Sequence, residues 1–295
     1  MRRFPAIVVF LLLVVALGAA VEAAQLRIEV AVDLVNVNFS ATDNNGRMIT
    51  GLTAEDFVVE EDGRVQKIAL FTRERELPLT LALLIDISPS VVPVFEEEKR
   101  AASGFLRSVL GPRDLASVIA FNSHVTLIQD FTVDLNFLTS AVRELEATGT
   151  GTSMFDAVYL AANEKLAHET GRRAIVLITD GEDTTSHYSE SKAVIAVHRS
   201  DTSIYSISIG PNSKVLRHLS EETGGAFFRI RRSGDFEEIF EQIANELRTQ
   251  YSIGYHSTNP TRDGSFRKIK IVPKDSRVTV RARRGYYAAK DPIAN

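Results

Sequence analysis

Three short stretches of this chain gather oxygen-bearing side chains where an apolar run meets a turn. Asp86-Ile87-Ser88-Pro89-Ser90 follows the run Leu79–Ile85. Gly149-Thr150-Gly151-Thr152-Ser153 precedes a helical pattern that begins at Met154, and Thr179-Asp180-Gly181 closes the run Ala174–Thr179. Together they offer the carboxylates of Asp86 and Asp180 and several hydroxyls, with no His and no thiolate. Hard oxygen donors suit Mg²⁺, Mn²⁺ or Ca²⁺, whereas Zn²⁺ and Cu²⁺ favour nitrogen and sulfur. Taken singly, each residue also suits a helix N-cap, because Ser, Thr and Asp accept from the free N–H groups of a first turn. The joint set favours one hard cation; a degenerate, metal-free version of the same loops stays open.

The spacing of apolar runs says how these stretches are held. Leu79–Ile85, Ala116–Phe121, Ala174–Thr179, Ser203–Ile209 and Ala226–Ile230 are short and apolar throughout, and helical patterns separate them, including Val94–Leu110, Met154–His168 and Asp235–Arg248. In the last, Phe236, Ile239, Phe240, Ile243 and Leu247 share one face, with Ser233 or Asp235 as the cap. Apolar strands alternating with helices predict a doubly wound, mainly parallel α/β sheet of Rossmann-like type, buried on both faces. His124–Phe131 follows Phe121 too closely for a crossover helix and reads as an antiparallel edge strand. Ligands of such sheets bind beyond the carboxyl ends of the strands, where the three stretches would converge.

The flanks read differently. Over residues 26–75, Ile28, Val30 and Val32 alternate with polar residues, and Val35, Val37 and Phe39 alternate in the opposite phase. Asn44-Asn45-Gly46 and Asp62-Gly63 mark turns, and Thr53-Ala54-Glu55-Asp56 reads as one capped helical turn. Over residues 250–288 there is a turn at Asp263-Gly264, and Val278, Val280 and Ala282 alternate with Arg277, Thr279, Arg281 and Arg283. Each flank has few strands for independent stability, so the N- and C-terminal segments are expected to pair into one small β-sandwich beside the α/β domain.

Asp86-Ile87-Ser88-Pro89-Ser90 matches D-x-S-x-S, Gly151-Thr152 stands before a helix, and Thr179-Asp180-Gly181 follows in order. Arg113-Asp114 leads into Val118-Ile119-Ala120-Phe121-Asn122-Ser123. In these features the chain resembles von Willebrand factor type A domains over about residues 78–248. The resemblance implies a metal-ion-dependent adhesion site. Ser88, Ser90 and Thr152 would bind the metal directly, and Asp86 and Asp180 would act through water. It implies Mg²⁺, with Mn²⁺ or Ca²⁺ as alternatives, and a protein partner that donates an acidic side chain to the open position. Pro89 stands where many members have Gly and Val91 where many have Met; neither is a ligand position. Glu182 and Asp183 add carboxylates near Asp180. The flanks, at Gly51-Leu52-Thr53-Ala54-Glu55-Asp56-Phe57 and Val280-Arg281-Ala282-Arg283-Arg284-Gly285-Tyr286-Tyr287, resemble those of a bacterial group of exported von Willebrand factor A-related proteins.

Composition narrows the remaining classes. A formal net charge of −4 disfavours a nucleic-acid partner. The absence of Cys excludes disulfides, zinc-thiolate sites, a Cys nucleophile and a lipid anchor on Cys. Arg2 and Arg3, the uncharged stretch Phe4 to Val21 and the small residues around Ala23 read as a signal peptide over residues 1–23. The alternative is an uncleaved anchor, the one route to membrane contact. Either way the chain is expected to be exported, to the periplasm or beyond. The expected organisation is an N-terminal β segment over 24–76, the α/β domain over 77–249 and a C-terminal β segment over 250–290.

The function expected is a non-enzymatic, metal-dependent binding module. A structural subunit of an envelope assembly, with a metal-free scaffold, is the second class. A metal-assisted hydrolase is the third, disfavoured because no general base and no G-x-S-x-G elbow appear. His187 is expected to be a solvated loop residue. The Arg281, Arg283 and Arg284 cluster is expected on a solvated strand face, with attraction of anionic lipid or polysaccharide as the alternative. Tyr255, Tyr286 and Tyr287 are expected to pack.

Overall fold

The computed structural model describes residues 34–73, 77–210, 214–232 and 234–291. The leader, the alternation at Ile28, Val30 and Val32, and Ser233 lie outside the described residues. Among the described residues no helix is long and apolar enough to cross a membrane.

The N-terminal flank contributes β1 (Leu34–Thr42), β2 (Phe57–Glu61), β3 (Arg64–Gln66) and β4 (Ile68–Arg73). Along β1 the alternation holds: Val35, Val37 and Phe39 turn inward. A single 3₁₀ turn, Ala54–Asp56, precedes β2, and Asp56 accepts from both the Thr53 N–H (2.7 Å) and its hydroxyl (3.1 Å). Asp62-Gly63 turns β2 into β3 with positive φ at both residues.

The central region carries β5 (Leu79–Asp86), α1 (Phe95–Val109), β6 (Leu115–Phe121), β7 (Val125–Thr132), α2 (Leu135–Arg143), α3 (Met154–Tyr159), β8 (Arg172–Thr179), α4 (Glu190–Arg199), β9 (Thr202–Ser208), α5 (Lys214–Thr223), β10 (Phe227–Arg229) and α6 (Asp235–Thr249). Its six strands lie in the order β10-β9-β8-β5-β6-β7, parallel except for the antiparallel edge strand β7. Every residue of β5 is buried. One face packs under α1, α2 and α6, the other under α3, α4 and α5. The fold is thus the doubly wound α/β type expected.

Local departures have local causes. The pattern from Val94 is the α-helix α1, and a 3₁₀ segment, Pro89–Val94, precedes it; Pro93 within that segment has no N–H to donate. The pattern from Met154 continues past α3 as a π segment, Leu160–Lys165, and a 3₁₀ turn, Leu166–His168; Ala161, Ala162 and Leu166 all stay fully buried. Asp235 does not cap α6. It accepts from the Arg231 and Arg232 N–H groups, and Gly234 at the helix start donates to Glu97 (2.6 Å).

The C-terminal flank adds β11 (Tyr251–His256), β12 (Phe266–Pro273), β13 (Thr279–Ala282) and β14 (Gly285–Tyr287). The flanks pair as expected, in two four-stranded sheets of order β13-β1-β11-β4 and β14-β12-β2-β3. Phe39, Phe57, Phe71 and Tyr251 form the aromatic centre between them, with ring centroids 5.0 to 6.3 Å apart.

Arg281 and Arg283 depart from the solvated face expected for the arginine cluster, whereas Arg284 stays exposed. Arg281 bonds the buried Glu246 of α6, which also accepts from Ser40 (2.7 Å) and Tyr205 (3.3 Å). Arg283 pairs with Asp201 (2.8 Å), and Arg284 with Glu222 (3.0 Å). These strands lie against the α/β domain, so their charges find partners there. Gly224 permits the approach: a Cβ there, where φ is +79°, would stand 2.4 Å from the Arg283 nitrogen.

His198 of α4 is buried at the same junction, edge-on to Phe266 with centroids 5.1 Å apart. Burial, with the Arg283 charge second, holds its pKa down at about 4, although Glu222 stands 3.9 Å from Nε2. The unfolded chain binds a proton near pH 6.5 that the folded ring refuses. Stability from this residue is therefore full above about 6.5 and falls as pH drops toward 4. His198→Gln is expected to remove about 2–3 kcal/mol of the stability loss seen between roughly pH 7.5 and pH 4.5. Urea unfolding at both pH values checks this; parallel losses in wild type and variant would contradict it.

Candidate metal centre

Asp86 ends β5 at the point where the strand order reverses, between β6 and β8. Its carboxylate is fully buried. Oδ1 accepts from the Ser88 N–H (2.8 Å) and Oδ2 from the Thr179 hydroxyl (2.6 Å) at the end of β8. The Ser88 and Ser90 hydroxyls lie 2.9 Å apart. Asp86 and Ser88 are buried whereas Ser90 and Pro89 are exposed, so the loop climbs from a dry floor to an open rim.

Backbone bonds draw the other two loops to the same end of the sheet. The Thr148 N–H donates to Ile87 O (2.8 Å), and the Ile87 N–H to Phe121 O (2.8 Å). Asn122 donates through its side chain to Thr148 O (2.9 Å). Thr152 O accepts from the N–H groups of Thr184 (2.9 Å) and Thr185 (3.1 Å), and the Thr152 N–H donates to the Thr184 hydroxyl (2.9 Å). The second and third loops are thereby tied together. Gly149 and Gly151 both take positive φ, and a Cβ on Gly149 would stand 2.4 Å from the Asn122 side chain. Asp180, half-buried, accepts from the Glu182 N–H (3.0 Å).

Of the five residues expected at the site, Asp86, Ser88 and Ser90 are joined by direct hydrogen bonds. Thr152 and Asp180 arrive on loops bonded to the same crevice; among the described residues no hydrogen bond joins either to the serines. Thr184 and Thr185 were not singled out from sequence, and Thr179 stood in the third stretch without a role of its own. Their signal was the run of hydroxyls on both sides of Asp180-Gly181-Glu182-Asp183. Asp183 accepts from the Phe155 N–H (3.2 Å) at the start of α3 and from Ser186 (2.6 Å), which gives it a capping role. His187 is solvated as expected, its side chain 90% exposed beside Asp156.

The electrostatics leave room for a cation. Burial pushes the Asp86 carboxyl above the usual carboxylate range, against hydrogen bonds from Thr179 and Ser88 that favour the ionised form; the Asp180 charge adds to the rise. Among the described residues neither Asp86 nor Asp180 has a basic partner, and no group of three or more His, Asp or Glu is placed to hold a metal. The donors that fit a hard divalent cation here are hydroxyls beside one dry carboxylate.

The family model of the von Willebrand factor type A domain matches residues 80–242. An uncharacterized protein of Borreliella burgdorferi is 21% identical over 168 residues, which cover 55% of this chain and 48% of that protein, so the match spans about half of the curated relative. A von Willebrand factor type A structure from Catenulispora acidiphila superposes with a TM-score of 0.54 at 14% identity, covering 81% of this chain and 74% of that one. Proximal thread matrix protein 1 from the mussel byssus, solved with a zinc-occupied metal-ion-dependent adhesion motif, gives 0.53 at 16% identity over 63% of this chain and 49% of its own. At these identities the two structures share the fold.

Proposed function

The chain belongs to the von Willebrand factor type A domain family, and from that premise we propose that it is an exported, non-enzymatic module that binds a protein partner through a divalent cation. The observation that carries this reading is Asp86, a buried carboxylate with no basic partner among the described residues, which accepts from the N–H of Ser88, the residue whose hydroxyl pairs with that of Ser90. Ser88, Ser90 and Thr152 would hold the cation, with Asp86 and Asp180 behind them. Mg²⁺ is the leading candidate, with Mn²⁺ or Ca²⁺ as alternatives. A bound cation of this kind supplies an electrophilic position open to a carboxylate. Neutral hydroxyls leave its charge unquenched, which favours an acidic side chain from the partner. The mussel protein's zinc-occupied motif supports a cation-holding site in this fold.

The same reading divides the chain into a leader over 1–23, β segments over 24–76 and 250–290, and the type A domain over 77–249. It assigns no turnover, since Asp86 and Ser88 are read as part of the cation site and the sequence carries no G-x-S-x-G elbow.

Thermal melting of the purified chain across a Mn²⁺ and Mg²⁺ titration tests the site. A ligand that binds only the folded state raises stability by RT ln(1 + [L]/Kd), about 2.7 kcal/mol at 100 Kd. A rise that EDTA reverses is the expected result. A flat response up to millimolar metal would overturn the reading in favour of a metal-free scaffold.

A further inference from the structure

Two loops of the candidate metal centre continue into a hollow of about 570 Å³ beside α1. One wall is the 3₁₀ segment and the first turn of α1. There Val92, two residues past Ser90, is 55% exposed and Phe95 is buried. The other wall is the segment that leaves α2, Glu144 to Ala147. It runs into Thr148, whose N–H donates to Ile87 O (2.8 Å). Lys99 ties the walls together: its ammonium donates to Arg143 O (3.2 Å) and Leu145 O (3.0 Å) and pairs with Glu96 (2.7 Å). Each wall is thus held in place and continuous with a loop of the metal centre.

The lining has two kinds of surface. Val92, Phe95, Leu145 and Ala147 make it apolar on one side. Glu144 and Glu146 are exposed along it, with no ion pair to either among the described residues. The two cations of the lining are directed elsewhere. Lys99 is bound as above, and the Arg143 guanidinium turns back along α2 to Thr139 O (3.3 Å) and the Ser140 hydroxyl (2.9 Å). An apolar surface beside two unpaired carboxylates fits a side chain with an apolar stem and a cationic head. Two residues of chain separate Val92 from Ser90, at most about 7 Å, and an extended partner segment advances about 3.3 Å per residue.

We propose that this hollow is a second subsite of the same binding surface, and that it takes a lysine or arginine of the protein partner standing within about four residues of the acidic side chain that reaches the cation. The inference rests on the metal-site reading and specifies the partner further, as a segment that carries an acidic and a basic residue close together. The cation fixes the acid, and the hollow selects among acids by what stands beside them.

The test is selection from a phage-displayed library of short peptides with a fixed central Asp, captured by the full chain in Mn²⁺ and released with EDTA. Lys and Arg are expected to be enriched about fivefold beside the fixed Asp, the scale of one or two partly exposed ion pairs. In the double variant Glu144→Gln/Glu146→Gln the enrichment is expected to fall below about twofold. Its Mn²⁺ affinity by calorimetry is expected to stay within about twofold of wild type, because exposed charges off the site are screened. Both positions are exposed, so the variant keeps its fold. Glu55→Gln, an exposed acid of the N-terminal flank, controls for general charge and is expected to keep the wild-type preference. Wild-type binders with no basic preference, or the same preference in the double variant, overturn the subsite and leave the metal site standing. Mn²⁺ binding with no EDTA-released peptide does the same. A wild type that binds no Mn²⁺ overturns both.

Discussion

Asp86→Ala is expected to erase the metal-dependent rise in melting temperature while the chain stays folded. In wild type that rise is about 2.7 kcal/mol at 100 Kd, or roughly 5–10 °C for a domain of this size. The carboxylate contributes in two ways. It fixes the loop by accepting from the Ser88 N–H, and it supplies negative charge beneath the hydroxyls. Removing it frees the Thr179 hydroxyl, but it also removes a buried charge that burial already disfavours, so the metal-free protein loses little. Thr152→Ala separates the two contributions. The Thr152 loop is held by its backbone bonds to Thr184 and Thr185, so the substitution deletes one hydroxyl and leaves the loop in place. Calorimetry with Mn²⁺ on both variants checks the assignment, and wild-type affinity in both would sink it.

Glu61→Gln is expected to be the most damaging conservative change in the sandwich. Glu61 is 2% exposed and accepts from Tyr255 (2.8 Å), Tyr286 (3.0 Å) and Ser257 (2.5 Å), with the buried Arg267 guanidinium 3.5 Å away. Gln keeps the shape but leaves Arg267 a buried cation without its counter-charge, and it turns one acceptor into a donor facing hydroxyls. Breaking a buried pair from one side costs about 3–5 kcal/mol. Chemical denaturation followed by tyrosine fluorescence reads this directly. A loss within about 0.5 kcal/mol, typical of a surface change, would mean that the network contributes little. Because β2 comes from the N-terminal flank and β11, β12 and β14 from the C-terminal one, this network joins segments about 200 residues apart in the chain.

Much of the molecule was legible before any coordinates. The five apolar runs fall on β5, β6, β8, β9 and β10, and the close spacing after Phe121 marked β7 as antiparallel. Two of the oxygen-rich stretches stand at the ends of β5 and β8 and the third at the start of α3, where they were expected. These signals are local: a strand buried on both faces must be apolar throughout, and a crossover needs a minimum length. Helices α2, α4 and α5 are shorter, 9, 10 and 10 residues against 15 for α1 and α6, so fewer turns repeat the pattern, and they were not singled out. The solvated reading of Arg281 and Arg283 failed because a period of two in charge shows that a strand has two faces, not what lies against each.

The sequence by itself determined the alternation of strands and helices, the chemistry of the oxygen donors and the end of the sheet at which they gather. Each follows from backbone geometry and side-chain type within a few residues. Tertiary structure alone decided the order in which the flanking strands interleave within the two antiparallel sheets, that Arg281 and Arg283 face Glu246 and Asp201, and that Glu98 alone among its neighbouring glutamates is buried without a partner. Those outcomes depend on which surface arrives from a distant part of the chain, and a charged side chain carries the same letter whether it meets water, a partner or neither.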